Sequence, residues 1–169
     1  MKKISLILLS VLTIAFSVSG STLVPVVSGT PKAPVTIVTA IDFSSFPFHG
    51  TFAVTVGSDI LGCSKGNFVD TPLVIAPPIG GAAIKKAFTC NTGPGAGGSF
   101  TVLFEPFVAF VSRGNVNGQW RVLEGTGFFA TLHGQGDFSV VFCDGPDPCP
   151  GFLPPPSGIE TLTGTIHFD

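Results

Sequence analysis

An all-β domain, a sheet folded over on itself as a sandwich or a barrel, is what this sequence predicts. Three observations carry that expectation. Apolar residues recur at every second position in short runs, the period of a strand with one buried face. The 22 Gly and 15 Pro cut those runs apart, and no stretch between them keeps helical periodicity long enough for a durable helix. Finally, 17 Phe and a hydrophobic share of 44% stand against only 11% charged residues. A one-faced sheet this apolar must bury that face against another sheet or against itself.

The N-terminus reads as an export signal, residues 1–20. Met1-Lys2-Lys3 is a positive start, Ile4 to Val18 is an apolar run, and Ser19, Gly20 and Ser21 are small residues around a cleavage point after Gly20. The run is short for a membrane span, which needs roughly 20 residues. The expected location is therefore secreted, extracellular or periplasmic, with no stable span after cleavage. Residues 21–40 read as a flexible leader, since Pro25, Pro31 and Pro34 oppose a helix and confine any strand to an edge. Residues 41–169 then form a single domain.

Within that domain the elements follow in order. Phe52, Val54 and Val56 alternate with Thr51, Ala53 and Thr55. Gly57 to Gly66 holds a turn and the first cysteine, and Phe68 to Ile75 is a strand stopped by Pro77-Pro78. Gly80 to Lys86 reads as a single helical turn, with Lys85 to Cys90 as the strand after it. Gly93 to Gly98 is a turn rather than a phosphate cradle, because a strand and not a helix follows. That strand has the best alternation in the chain: Phe100, Val102 and Phe104 point one way, Thr101, Leu103 and Glu105 the other. Asn115 to Gly118 reads as a hairpin turn. Trp120 to Glu124 is a strand, Gly125-Thr126-Gly127 a bend before Phe128 to Leu132, and Gly134 and Gly136 bracket a tight turn. Phe138, Val140 and Phe142 form the next inward set. Leu162, Gly164, Ile166 and Phe168 form the last, opposite Thr161, Thr163, Thr165 and His167.

The four cysteines, Cys63, Cys90, Cys143 and Cys149, suit disulfides in an exported chain. Three pairings are open. Cys63–Cys90 and Cys143–Cys149 are favoured because each closes one local excursion. Their spacing lacks the close CxxC pairs of a zinc site, and His49, His133 and His167 are too far apart in sequence to form one. Asp42, Asp59, Asp70, Asp144 and Asp147 fall in or near turns, without a calcium-loop pattern. No metal, cofactor or catalytic residue is assigned. Signal removal takes the formal charge from −2 to −4, and Lys85-Lys86 is the nearest approach to a basic surface, so nucleic acid is excluded as a partner.

Several motifs together resemble a known family: Cys63-Ser64-Lys65-Gly66-Asn67-Phe68, Phe88-Thr89-Cys90 before its glycine-rich turn, the stretch from Trp120 to Gly136, and Leu162-Thr163-Gly164-Thr165-Ile166. In these the chain resembles small secreted prokaryotic proteins of the allene oxide cyclase-like and dirigent-like barrels. The resemblance implies a single closed antiparallel β-barrel of about eight strands, whereas the residue pattern alone leaves the sandwich open. It also implies a role on small hydrophobic molecules, but none of the family's functional residues maps onto a position here.

The expected function is that of a secreted, non-enzymatic barrel of unassigned role, a surface or matrix protein or a binder of a small apolar ligand: the phenylalanines read first as simple core, and only where the interior is not fully packed would they line a ligand pocket. Phe100, Phe104 and Phe138 would wall the pocket and Phe43, Phe46 and Phe48 would close one end of it. The alternatives are a cyclase-like or dirigent-like enzyme and an extracellular adhesion or interaction module. The enzyme needs a cavity with an acid and a basic or hydroxyl group converging inside the barrel, and that reading falls if Glu105, Arg121 and Asp137 all point to solvent.

Overall fold

Eight strands, each hydrogen-bonded antiparallel to the next, close into a barrel when the last pairs with the first. The structure, a computed structural model, describes residues 31–76, 81–108, 116–143 and 157–169, with the backbone alone for 72–76, 81–82 and 106–108. The signal segment, Cys149, Asp144, Asp147 and Pro154 to Pro156 lie outside the described residues. The strands are β1 Ala33–Asp42, β2 His49–Val56, β3 Lys65–Ala76, β4 Gly81–Cys90, β5 Ser99–Val108, β6 Val116–Gly125, β7 Leu132–Phe142 and β8 Ser157–Phe168. One turn of helix, α1 Ser58–Leu61, joins β2 to β3, and a 3-10 turn at Gly127–Phe129 joins β6 to β7. The expected barrel is the one observed, and closure settles the alternative of a sandwich.

Inward and outward faces follow the alternation. Val35, Ile37 and Ile41 of β1, Phe52 and Val54 of β2, Phe100, Val102 and Phe104 of β5, and Leu162 and Ile166 of β8 are all buried. Thr51, Thr55, Asn67, Thr89, Gln119, Gln135 and Thr163 are exposed between them. The alternation is what lets a single sheet carry both a core and a wet surface.

Four readings of local sequence are corrected. The barrel begins at Ala33, inside the segment assigned to the leader, because β8 offers β1 a partner at every position from Ala33 to Asp42. Gly81 to Lys86 is strand, not a helical turn. Residues 82–84 carry a shifted register opposite Pro72 and Pro106, where each proline sits at an irregularity of the ladder. Asn117 and Gly118 lie inside β6, paired with Ser139 and Phe138. Gly134 and Gly136 lie inside β7, with Gly136 paired to Gly164 of β8 on one side and Trp120 of β6 on the other. Their bareness serves packing: a Cβ on Gly164 would come within 2.7 Å of the Trp120 indole and one on Gly134 within 3.3 Å. The buried indole uses that room to donate its N–H to the carbonyls of Asp137 and Thr163, 3.1 Å from each.

The two ends of the barrel are built differently. At one end, Cys63 and Cys90 form the expected disulfide. Beside it Phe88 stacks on Phe100 at 4.9 Å between ring centroids, and Phe52 and Phe129 pack edge-on or tilted around them. The glycine-rich turn closes over this cluster, with Gly95 N–H bonded to the Gly62 carbonyl. Phe129, wholly buried, plugs the base. Cys143, at the opposite end, is also disulfide-bonded; its expected partner lies outside the described residues.

Candidate binding site at the lysine end of the barrel

The opposite end has charges inside it. Lys86, Asp70 and Glu160 are 1%, 5% and 3% exposed, as buried as the phenylalanines around them. Strand register assembles them as two cross-strand pairs. Asp70 of β3 lies opposite Lys86 of β4, and Thr39 of β1 lies opposite Glu160 of β8. The four side chains point inward because they keep the parity of Phe68, Phe88, Ile37 and Leu162 on their own strands.

The Lys86 ammonium is held on three sides. It donates to Asp70 Oδ2 at 3.2 Å, lies 2.9 Å from Glu160 Oε2, and sits 3.8 Å above the centre of the Phe68 ring. The Phe104 ring is further off, at 5.5 Å. Thr39 donates its hydroxyl to Glu160 Oε2 at 3.2 Å. Asp70 Oδ1 is also 3.2 Å from the ammonium, an ion-pair contact without hydrogen-bond geometry, so this buried oxygen accepts no hydrogen bond. Burial pushes the Asp70 carboxyl up to about 6, against the pull of Lys86 and with a further push from Glu160.

Above the cluster lies an aromatic mouth. Phe43 packs edge-on against Phe48 at 5.1 Å and tilted against Phe142 at 5.5 Å, and Phe48 in turn meets Phe46. Phe43, Phe48, Phe142 and Phe104 line a residual cavity of about 20 Å³ with Asp70, Lys86 and Glu160 at its floor. That is room for one water or one hydroxyl, far below the roughly 300 Å³ of a pocket for a drug-sized molecule. A larger guest has to displace the Phe43 and Phe48 side chains.

The six phenylalanines named from sequence therefore separate. Phe43, Phe48 and Phe104 line the cavity. Phe46 stands outside it, 65% exposed, at the tip of the β1–β2 connection. Phe138 backs Phe104 edge-on at 4.7 Å without reaching the cavity, and Phe100 belongs to the disulfide end. Two other sequence readings fail here. Asp70, placed in or near a turn, is a buried residue inside β3, and Lys86, half of the nearest approach to a basic surface, is interior. Glu160 and Thr39 were not singled out at all, although the parity of Leu162, Gly164 and Ile166 extended back two residues puts Glu160 inside.

The remaining polar groups lie on the outer wall. Glu105 and Arg121 are half exposed and 3.6 Å apart, and Asp137 is exposed, so none of the three enters the barrel. His133 and His167, distant in sequence, are directly opposite each other across β7 and β8 and stack at 5.1 Å, with Asp169 2.8 Å from His133. His49 lies near Asp42 at 3.7 Å on the β1–β2 connection. Among the described residues no group of three or more His, Cys, Asp or Glu is placed to hold a metal ion, and no helix is long and apolar enough to cross a membrane. Exposed large apolar side chains include Phe46 and Phe128, which lie at opposite ends of the barrel. Comparison of the chain with protein-family models, with curated proteins and with solved structures finds no match.

Proposed function

We propose that this protein is an exported β-barrel that binds a small apolar ligand at its lysine end, the ligand's body between Phe43, Phe48 and Phe142 and its polar head on the Asp70–Lys86–Glu160 floor. The observation that carries the reading is a cavity lined by Asp70, whose Oδ1 is ion-paired to Lys86 but accepts no hydrogen bond, beneath a mouth made of aromatic rings. A buried acceptor left without a donor costs about 1–3 kcal/mol, and a site that keeps one is arranged for something to fill it. Export is supported by the three-part pattern of residues 1–20 and by the Cys63–Cys90 bridge, which belongs to an oxidising compartment. The test is titration of the mature protein with the fluorescent apolar probe N-phenyl-1-naphthylamine. Saturable binding that Phe43→Ala or Phe48→Ala changes several-fold supports the reading. Absence of saturable binding, with the fold intact by circular dichroism, overturns it.

A second reading, the cyclase-like or dirigent-like enzyme, loses Glu105, Arg121 and Asp137, the groups named for it from sequence, and is favoured by one different observation: other acids and a base, Asp70, Glu160 and Lys86, converge inside. A carboxyl held near 6 is suited to move a proton near neutral pH. If a turnover substrate is found, Asp70→Asn should abolish product formation while leaving probe binding in place; retained turnover would remove this reading.

A further inference from the structure

The floor of the site is unbalanced in its hydrogen-bonding capacity, and the imbalance has a direction. Every donor in it is committed. The Lys86 ammonium is divided among Asp70 Oδ2, Glu160 Oε2 and the Phe68 face, and the Thr39 hydroxyl is given to Glu160. What is left over is accepting capacity: Asp70 Oδ1, on a residue that lines the cavity, has the ammonium 3.2 Å away but accepts no hydrogen bond. The charges lean the same way, with two carboxylates sharing one ammonium. We infer that the barrel selects ligands whose head donates a hydrogen bond, an uncharged hydroxyl on an apolar body, and rejects those that end in a carboxylate.

The inference rests on the ligand-binding reading and narrows it to a chemical class. A hydroxyl placed in the cavity donates to Asp70 Oδ1 and completes the set. A carboxylate brings no donor and adds a third anion where water is excluded, so that it is both unpaired and repelled. An alkylammonium would place a second cation beside Lys86 Nζ, itself 3.2 Å from the same Oδ1. The size of the cavity, about 20 Å³, points to a hydroxyl as well, because the whole head must fit where one water would.

The experiment is calorimetric titration of the mature protein at pH 7.5 with three ligands of matched chain: 1-decanol, its methyl ether and decanoate. The expected result is decanol about tenfold or more tighter than either of the others, the size of effect that one hydrogen bond to a charged acceptor gives. In Asp70→Asn, shown to be folded by circular dichroism, the gap between decanol and decanoate should shrink several-fold. Decanoate equal to decanol or tighter, or the ether equal to decanol, overturns the head-group inference while leaving apolar binding intact. A gap unchanged in folded Asp70→Asn removes Asp70 from the recognition. Failure of all three ligands to bind overturns the proposed function itself. Should the variant not fold, the three-ligand comparison on the unaltered protein still decides.

Discussion

The two ends of this barrel are made by the same strands and obey opposite rules. On β4, Phe88 and Lys86 are two residues apart and both point inward; on β3, Phe68 and Asp70 do the same. At the disulfide end the interior is apolar, aromatic rings packed with Val35, Leu61, Leu132 and Ile166, and is locked by a covalent bridge and a turn that folds over it. At the lysine end the interior holds three ionisable groups, a carboxylate oxygen that accepts no hydrogen bond, and a small void. Burying ionic groups in place of apolar ones of similar size is as a rule neutral or unfavourable for stability. The difference therefore separates what holds the barrel together from what the barrel is arranged to do.

The sharpest way to test that division is to remove one side chain from each end. Phe88→Ala should cost about 3–5 kcal/mol, through lost burial and the cavity left behind. The loss should be nearly the same at pH 5 and pH 7.5, because Phe88 pairs only with other rings and the nearest charge, the Lys86 ammonium, lies on the neighbouring Phe68 ring. Lys86→Met should cost a similar amount, about 3–5 kcal/mol, at pH 7.5, where it leaves two buried carboxylates without a cation. Part of that loss should return at pH 5 as Asp70, whose carboxyl is pushed up to about 6, takes up a proton. Urea unfolding of both variants at both pH values measures this, and an equal pH response in the two would erase the distinction between the ends.

Next in size is the bridge. Cys63→Ser with Cys90→Ser should lose about 3–4 kcal/mol by the loop-entropy relation for residues 27 apart in sequence. Hydrogen exchange should quicken in the glycine-rich turn and at the base of β4 and β5 before it does at the lysine end.

A smaller effect comes from Asp70 in the unaltered protein. Its folded-state carboxyl titrates at about 6 against an ordinary 3.8, so between those values the folded chain binds more protons than the unfolded one. The contribution of this group is therefore greatest at low pH and falls as pH rises from about 4 to about 6. The decline is at most about 3 kcal/mol. Urea midpoints across that range should show the decline, and Asp70→Asn should flatten it. Smallest of all, Phe46→Ala should change stability by no more than about 0.5 kcal/mol, since the ring is largely exposed. Its effect, if the mouth admits ligands, is a several-fold change in probe affinity with the same unfolding midpoint.

The sequence made the disulfide end more legible than the lysine end. Phe100, Val102 and Phe104 announce a buried face because every second residue is apolar, and Cys63 and Cys90 flank one excursion of the chain. The charged cluster breaks that apolar signal at the positions that matter. Asp70 follows Phe68, Lys86 precedes Phe88, and Glu160 precedes Leu162, each at inward parity. A polar residue at an inward position reads as the end of a strand or as a turn until its partner is known. The partners are distant: Lys86 meets Glu160 only because β4 and β8 face each other across the closed barrel. The glycines misled for a related reason. Gly134 and Gly136 look like turn residues along the chain, and only their neighbours across the sheet explain them as space: Ile166, Thr165 and the Trp120 indole around Gly134, and the backbone of Thr163 and Gly164 against Gly136.

By itself, then, the order of residues determined the strand class and most of the inward parity, and it favoured the link between Cys63 and Cys90 over the other pairings. These are local, or nearly so, and follow from a period of two and from the short loop between two thiols. Which inward residues touch was decided by closure of the sheet. Pairing β8 with β1 sets Glu160 beside Thr39 and carries its carboxylate to within 2.9 Å of Lys86. Charge, desolvation and an unfilled acceptor take their meaning from that distance, which no spacing along the chain encodes.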